Sequence, residues 1–431
     1  MSTSTDSPVP HFTTALTGPL LLLERQILDR QSAIESWFRS QWRRSPAPFY
    51  ASVDLRNSGY KVAPVDTNLF PAGFNNLNPA FDALSIQALQ QAVEHLGAPV
   101  DRIVIVPESH TRNLFYLENL AVLQRLLERA GFAVRLGSLL PELKEETVIP
   151  LPSGASARLA PLVRNGRRVM VGDFDPDFVL LNNDLSSGTP ALIEDIEQML
   201  RPAPKLGWAN RLKSVHFSFY QGVAREFAAL LGIDPWFIDP MFRNCGAIDF
   251  MKREGQSCLE RNVEELLEAI THKYAEYSVQ CRPFVMVKAD AGTYGMGVMS
   301  AHSVAEVVEL NRKQRTKMST TKEGQKVSKV IIQEGVYTHE TWGEGNAVAE
   351  PVVYMIDHNV VGGFYRVHTE RSSSENLNAP GMRFEPLAFE ECCITPDPAQ
   401  GPDAHLNRFY TYGVIGRLAL LAAARESQSV A

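Results

Sequence analysis

Apolar residues recur with a helical period from Pro19 to about Arg43, in "LLLLERQILDRQSAIESWFRSQW", and Pro46-Ala47-Pro48 closes that helix. "PFYASVDLR" then reads as a short strand. It runs into a long polar stretch, "NSGYKVAPVDTNLFPAGFNNLNP", which the pattern predicts as a loop. Loops of that length without secondary structure are commonly functional. Next come "RIVIVPE", a continuous apolar strand, and "NLFYLENLAVLQRLLERAGF", an amphipathic helix stopped by a glycine. "AVRLGSL" and "DFVLLNNDLSSG" read as further strands. Strand, helix, strand with a glycine stop predicts a βαβ unit in a parallel sheet. Ligands of such sheets sit beyond the carboxyl ends of the strands. His110, Arg112 and Asn113 fall there after one strand, and Asn182, Asn183 and Asp184 after another.

"RPAPK" at 201–205 predicts a domain junction, with an N-terminal α/β domain over 1–205 and a second domain over 206–431. The stretch "LGWANRLKSVHFSFYQGVAREFAALLGI" reads as helical. From Pro283 the pattern changes. "PFVMVKAD" is a strand, "AGTYGMG" a loop and "VMSAHS" the start of a return strand. Ser303 and Glu306 form a capping-box signal for the helix "VAEVVELNRKQR". "KVIIQEGV" is another strand, and "VAEPVVYMID" and "VVGGFYRVHT" pair around a turn at Asp357-His358-Asn359.

The 431 residues suffice for two or three domains, and 45% hydrophobic content fits substantial cores. A formal charge of −7 argues against non-specific nucleic-acid binding, which needs a net basic surface. The five cysteines show no C-x-x-C spacing, and no apolar run approaches the length of a membrane span. The expectation is a cytoplasmic protein with reduced thiols and no membrane or nucleic-acid partner. The adjacent Cys392 and Cys393 read as two small apolar residues or a redox pair. His110, His216, His339 and His368 lack ligand spacing and read as structural or surface residues. Trp208 and Trp236 read as core.

Chemistry enters with "VKADAGTYGMGVMS", where Lys288 precedes Gly292, Gly295 and Gly297. The loop lacks the Gly-Lys-Ser/Thr end of a Walker A sequence and reverses the order of the dinucleotide fingerprint. Flanked by two strands, it reads as a hairpin flap. Its amides can close over phosphate oxygens with Lys288 as the charged end; a merely structural hairpin is the alternative. "IIQEGV" fits a strand-to-hinge segment that meets adenine. Glu375, Asn376 and Asn378 offer hard oxygen atoms suited to Mg²⁺, and Arg366 and Arg383 offer bidentate charge for phosphate or carboxylate. In the polar stretch, Asp66, Asn68 and Asn75 could read an amino-acid ammonium and carboxylate, with Arg56 or Lys61 as counter-charge. Asx-turn chemistry is the plainer alternative.

This series of parts resembles the ATP-grasp superfamily. More closely, "VKADAGTYGMGVMS", "IIQEGV", "AEPVVYMID", "ENLNAPGMRF", "VDTNLFPAGFNNLN" and "GWANRLKSVHF" resemble the proteobacterial type of glutamate–cysteine ligase, from about Pro19 to Arg425. The resemblance implies an α/β (α+β) chain with an ATP-grasp fold and an N-terminal Rossmann-like, pre-ATP-grasp domain. It also implies ATP and Mg²⁺ as cofactors, with glutamate and cysteine as substrates. The reaction implied is attack of the cysteine amine on a γ-glutamyl phosphate, the first step of glutathione biosynthesis. Position by position, Lys288 and Lys213 match the superfamily's phosphate-contacting lysines. Gln333 to Val336 match the adenine hinge, with Glu334 as its side-chain participant, and Arg366 matches an arginine aimed at the reacting phosphoryl group. The superfamily's Glu-x-Asn metal triplet does not follow Asn378, so Glu350, Glu375 and Asn378 are metal candidates on their chemistry alone. A carboxylate–amine ligase with other substrates and a non-catalytic nucleotide-binding protein stay open.

Overall fold

The structure, a computed structural model, describes Ala15 and residues 21–109, 113–292, 297–319, 327–386 and 409–429. His110, Arg112, Tyr294, Gly295, Met296, Cys392 and Cys393 lie outside the described residues.

Three sheets carry the chain. In the first, Met199–Arg201, Phe178–Asn182, Arg102–Pro107, Ala133–Ser138 and Ser156–Pro161 run parallel in that spatial order, with Thr147–Pro150 antiparallel at the edge. The crossover helix Leu114–Arg129 begins where Asn113 accepts from the Tyr116 amide, so the predicted strand–helix–strand unit is present. The second sheet is antiparallel, in the order Arg383–Pro386, Asn359–His368, Ala347–Ile356, Tyr50–Asn57 and Val62–Asn68. The third is also antiparallel, with Phe242–Cys245, Val330–Glu334, Val285–Ala289 and Val298–Ala301 side by side under the helix Gln256–Glu276. None of the described helices is long and apolar enough to cross a membrane.

The second sheet positions the chemistry through the two-residue period of its strands. Ala51, Val53 and Leu55 point into a core shared with the helices Lys213–Leu231 and Phe409–Ser429. Ser52, Asp54 and Arg56 face the other way. Glu350, Val352 and Tyr354 on one neighbouring strand, and Phe364 and Arg366 on the next, share that opposite face. Its apolar end packs on the parallel sheet, and its polar end opens toward the third sheet.

The structure departs from the sequence pattern in several places; for one, the N-terminal helical stretch is divided into Leu22–Asp29 and Gln31–Trp42. The polar stretch after Asn57 is not a loop throughout: Val62–Asn68 is the edge strand of a hairpin with Tyr50–Asn57. Pro64 obscured it, and a proline that cannot donate to a ladder is tolerated on an edge strand. The helix predicted after Ser303 is divided into Val304–Val308 and Arg312–Ser319. The C-terminal helix Phe409–Ser429 is apolar nearly all round because it is buried, so it carries little of the one-sided pattern that marks a helix. We keep the division near residue 205 as a proposal, noting that the Tyr50–Asn68 hairpin crosses it to pair with Ala347–Ile356.

Candidate active site

A cleft with an open space of about 720 Å³ lies between the second and third sheets. Its walls bring together Arg56, Asp66, Lys213, Lys288, Gly292, Gln333, Glu334, Val336, Glu350, Arg366, Asn376 and Asn378, which lie far apart in sequence. Asp54 joins them, a residue the sequence reading missed. Its signal was the alternation of "YASVDLR", which puts Asp54 and Arg56 on one face.

Charges in the cleft are paired. The Arg366 guanidinium donates to Asp54 Oδ2 at 2.8 Å and to Glu350 Oε1 at 2.6 Å, and the second oxygen of Glu350 accepts from Arg56 Nε at 3.0 Å. Arg56 also donates to the carbonyls of Val336, Ser373 and Glu375, tying the hinge to the Asn376–Asn378 segment. Asp54 sits directly across the ladder from Asp66. Two facing carboxylates repel; here Lys213 Nζ meets Asp66 Oδ1 at 2.7 Å while Arg366 holds Asp54. Burial raises the Asp54 carboxyl above its ordinary range, with Arg366 opposing and Glu350 and Asp66 adding to the rise. Glu350 falls below its ordinary range because the guanidiniums of Arg56 and Arg366 outweigh its burial. Burial also works against Asp66, and the ammonium groups of Lys213 and Lys288 overcome it, holding that carboxyl low.

Lys288 extends from the strand before the flap and donates to the Val65 carbonyl at 2.9 Å and Gln333 Oε1 at 2.8 Å. Burial pushes its ammonium down to about 8, with Asp66 opposing and Lys213 and Arg56 reinforcing. The unfolded chain keeps this proton up to about 10.4. Between those values the unfolded state binds more protons, so this group costs stability below pH 8 and the cost fades as pH rises. Binding a polyphosphate has the opposite requirement, since it needs the charge. Nucleotide affinity is expected to fall by up to roughly tenfold per pH unit above 8. Titrating an ATP analogue between pH 7 and 9.5 checks this, and Lys288→Arg should flatten the profile.

The hinge and the strand end before the flap are fixed from behind. Glu334 is fully buried and accepts from Lys61 Nζ at 2.6 Å and Trp236 Nε1 at 3.0 Å. Gly335 donates to the Phe284 carbonyl, and a β-carbon there would stand 2.2 Å from the Phe284 ring, so only glycine lets the hinge pass. Asp290, just before the flap, accepts from Ser214 N at 2.8 Å and Ser214 Oγ at 2.7 Å, and its carbonyl accepts from Lys213 N. It supplies the N-terminal partners of the helix Lys213–Leu231 that Leu212 cannot. The stretch "GWANRLKSVHF" leads into that helix and supplies its first turn. Within it, Arg211 grips Glu426 at 2.9 and 3.0 Å and donates to Thr67 O, and His216 bridges Glu426 and Thr67. The clamp sets Thr67, and with it Asp66, against Lys213.

A second cavity, about 980 Å³ of open space, adjoins the first and shares Asp54, Asp66, Arg366 and Asn378 with it. Asn68, Asn76, Glu108, Asn182, Asp184, Trp208, Tyr354 and Phe384 complete much of its wall. Asn182 ends a strand of the parallel sheet and Asp184 follows it, where the sequence pattern placed a ligand site. Trp208 also lines this cavity, and its buried Nε1 has no partner among the described residues, while Lys213 lies 4.1 Å from the ring centroid. Trp236 is core, as expected, stacked on Tyr277.

Six expected contacts lie elsewhere. Lys61 and the Glu334 carboxylate neutralise each other behind the hinge. Asn75 hydrogen-bonds Asn76 and reaches neither cavity wall. Arg383 is half exposed on an edge strand, near Glu385. Glu375 points its carboxylate at Arg371 and the Ser372 amide, off the cleft. Gly297 takes a positive φ of 62° and closes the flap hairpin through its carbonyl.

An antiparallel sheet thus faces a second sheet whose charged residues line the cleft between them. The family model "glutamate-cysteine ligase" matches residues 24–427, so the chain belongs to the glutamate-cysteine ligase family. It is similar to a crystal structure of a Methylobacillus flagellatus KT protein assigned as a gamma-glutamylcysteine synthetase. The two share 57% identity with a TM-score of 0.87, over 98% of this chain and 100% of that one. A glutathione synthetase-like effector of Globodera pallida aligns at 12% identity and TM-score 0.38, over 83% of each chain. D-alanyl-alanine synthetase A of Vibrio cholerae aligns at 10% and 0.35, over 74% of this chain and 80% of that one. Those two values are too low to bear on fold or function. A search of curated proteins finds no match.

Proposed function

We propose that the chain joins the γ-carboxylate of L-glutamate to the amine of L-cysteine, with ATP bound in the first cleft and the amino acids in the second cavity. The observation that carries this arrangement is the shared wall. Asp54, Asp66, Arg366 and Asn378 face both spaces, so a nucleotide's terminal phosphate and a substrate carboxylate would meet there. The cleft suits a polyphosphate: besides Lys288 and Lys213, it presents the buried Gln333 Nε2 and Arg366 Nε, two donors without a partner among the described residues. Unmet buried donors are costly, and a ligand's acceptors relieve the cost.

Carboxylate is a poor electrophile, and phosphorylation by ATP converts it to an acyl phosphate that an amine can attack. Both reacting nucleophiles belong to substrates, so the residues' work is positioning and charge neutralisation. Arg366 and Lys288 would hold the transferring phosphoryl group, and the flap around Gly292 would exclude water. Asp54, its proton affinity raised by burial, stands at the junction where the attacking ammonium must lose a proton. Mg²⁺, when bound, supplies charge to the phosphate oxygens. Glu350 and Asn378 are on the cleft wall to hold it, but both Glu350 oxygens already accept from guanidinium groups.

Hydroxylamine in place of cysteine tests the intermediate. With glutamate and ATP it is expected to yield γ-glutamyl hydroxamate in step with ADP. ADP formation without hydroxamate would count against an acyl phosphate at this junction.

A further inference from the structure

The strands that carry Glu350 and Arg366 meet at the turn Asp357-His358-Asn359, seven residues beyond Glu350 and so about 20 Å from the cleft. His95 comes to this turn from the end of the helix Asp82–Glu94. Its Nδ1 lies 2.9 Å from Asp357 Oδ2, and the Nδ1 of His358 lies 2.8 Å from the same oxygen. The three ligand atoms fall within 4.8 Å of one another.

We propose that His95, Asp357 and His358 form a binding site for one divalent transition-metal ion of the Zn²⁺ type, separate from the nucleotide cleft. Two imidazole nitrogens and one carboxylate oxygen suit Zn²⁺, Co²⁺ or Ni²⁺. Mg²⁺ prefers oxygen ligands, so the ion accompanying ATP does not compete on equal terms. The separations fit: ligands about 2.0–2.1 Å from a tetrahedral ion stand roughly 3.3 Å apart, so the two nitrogen–oxygen distances need only a small opening. In the Nδ1–H tautomer both rings donate to the one carboxylate oxygen; ligation through Nδ1 needs that lone pair, so each ring proton moves to Nε2 and an imidazolium gives its second proton to water.

The surroundings hold the ligands in place. Asp357 is nearly buried, and its amide donates to the Phe49 carbonyl at 2.8 Å. Asn359 Nδ2 donates to Gln91 Oε1 at 2.9 Å, pinning the turn to the helix that presents His95. Trp42 lies against His358 with ring centroids 5.9 Å apart. His95 is the C-cap of its helix, where the carbonyl ends favour a cation. His95 is 56% exposed and His358 31% exposed, which leaves positions open for water or a fourth ligand.

Calorimetric titration of the full-length protein with Zn²⁺, and visible spectra with Co²⁺, test the site against His95→Ala and His358→Ala. Both side chains are outside the cleft, so the variants should keep the wild-type rate of ADP formation, which verifies folding. The free thiols Cys245, Cys258 and Cys281 are rival ligands, and their Co²⁺ complexes carry thiolate charge-transfer bands. The expected result is one Zn²⁺ equivalent that each variant weakens at least about tenfold, with Co²⁺ d–d bands and no thiolate band. Each lost histidine ligand at a three-ligand site warrants a change of that order. Titrations that coincide for wild type and variants, or binding abolished by alkylating the thiols, would overturn the proposal.

Discussion

Lys288→Met is expected to lower the rate of ADP formation by about 10²–10³-fold, the loss typical of removing one charged donor from a phosphoryl or acyl transfer site. The half-buried side chain lies in the cleft wall, and its ammonium donates to the Val65 carbonyl and Gln333 Oε1. Methionine keeps the length and apolar body of the side chain but cannot donate. Folding should change little. Losing two hydrogen bonds costs about 1–2 kcal/mol, and a buried ammonium that needed desolvation goes with them. Steady-state ADP release and urea denaturation separate the two effects. An unchanged rate in a folded variant would remove Lys288 from the chemistry.

Arg366→Ala is expected to cost stability as well as activity, by about 3 kcal/mol in urea denaturation, because it leaves the part-buried Asp54 without its cation and the buried Glu350 with one of two. Arg366 is the partner of Asp54 and one of two for Glu350, and Asp66 faces Asp54 across the ladder. Three acids would then share one face of the sheet with one guanidinium and two ammonium groups at its rim. The deficit should narrow as pH falls, since protonation of Asp54 relieves the repulsion. Arg366→Lys should recover part of the stability but not the two-oxygen grip. Wild-type stability in Arg366→Ala would show that the carboxylates have other partners.

The sequence pattern carried the parallel sheet well, because "RIVIVPE" and its amphipathic helix have distinct periods. It carried the flap hairpin through its two apolar flanks. It could not show that Tyr50–Asn68 belongs to the same sheet as Ala347–His368, since pairing across some 300 residues leaves no local signal. Side-chain direction was the other blind spot. Lys61 and Glu334 look like ligand-reading charges in sequence, yet they face each other behind the hinge. Asp290 and Arg211 look ordinary, yet one caps the helix bearing Lys213 and the other clamps the strand bearing Asp66. Lys213 and Asp66 meet only because both supports hold.

The central claim is that this junction joins glutamate to cysteine at the expense of ATP. The most direct measurement is ADP release by the purified protein with ATP, Mg²⁺ and glutamate, against a panel of amines, with the product identified by mass. The account predicts that cysteine, or a close analogue, stimulates release well above glutamate alone and yields γ-glutamylcysteine in equal amount. Release that cysteine does not stimulate, or that another amine stimulates far more, would contradict it.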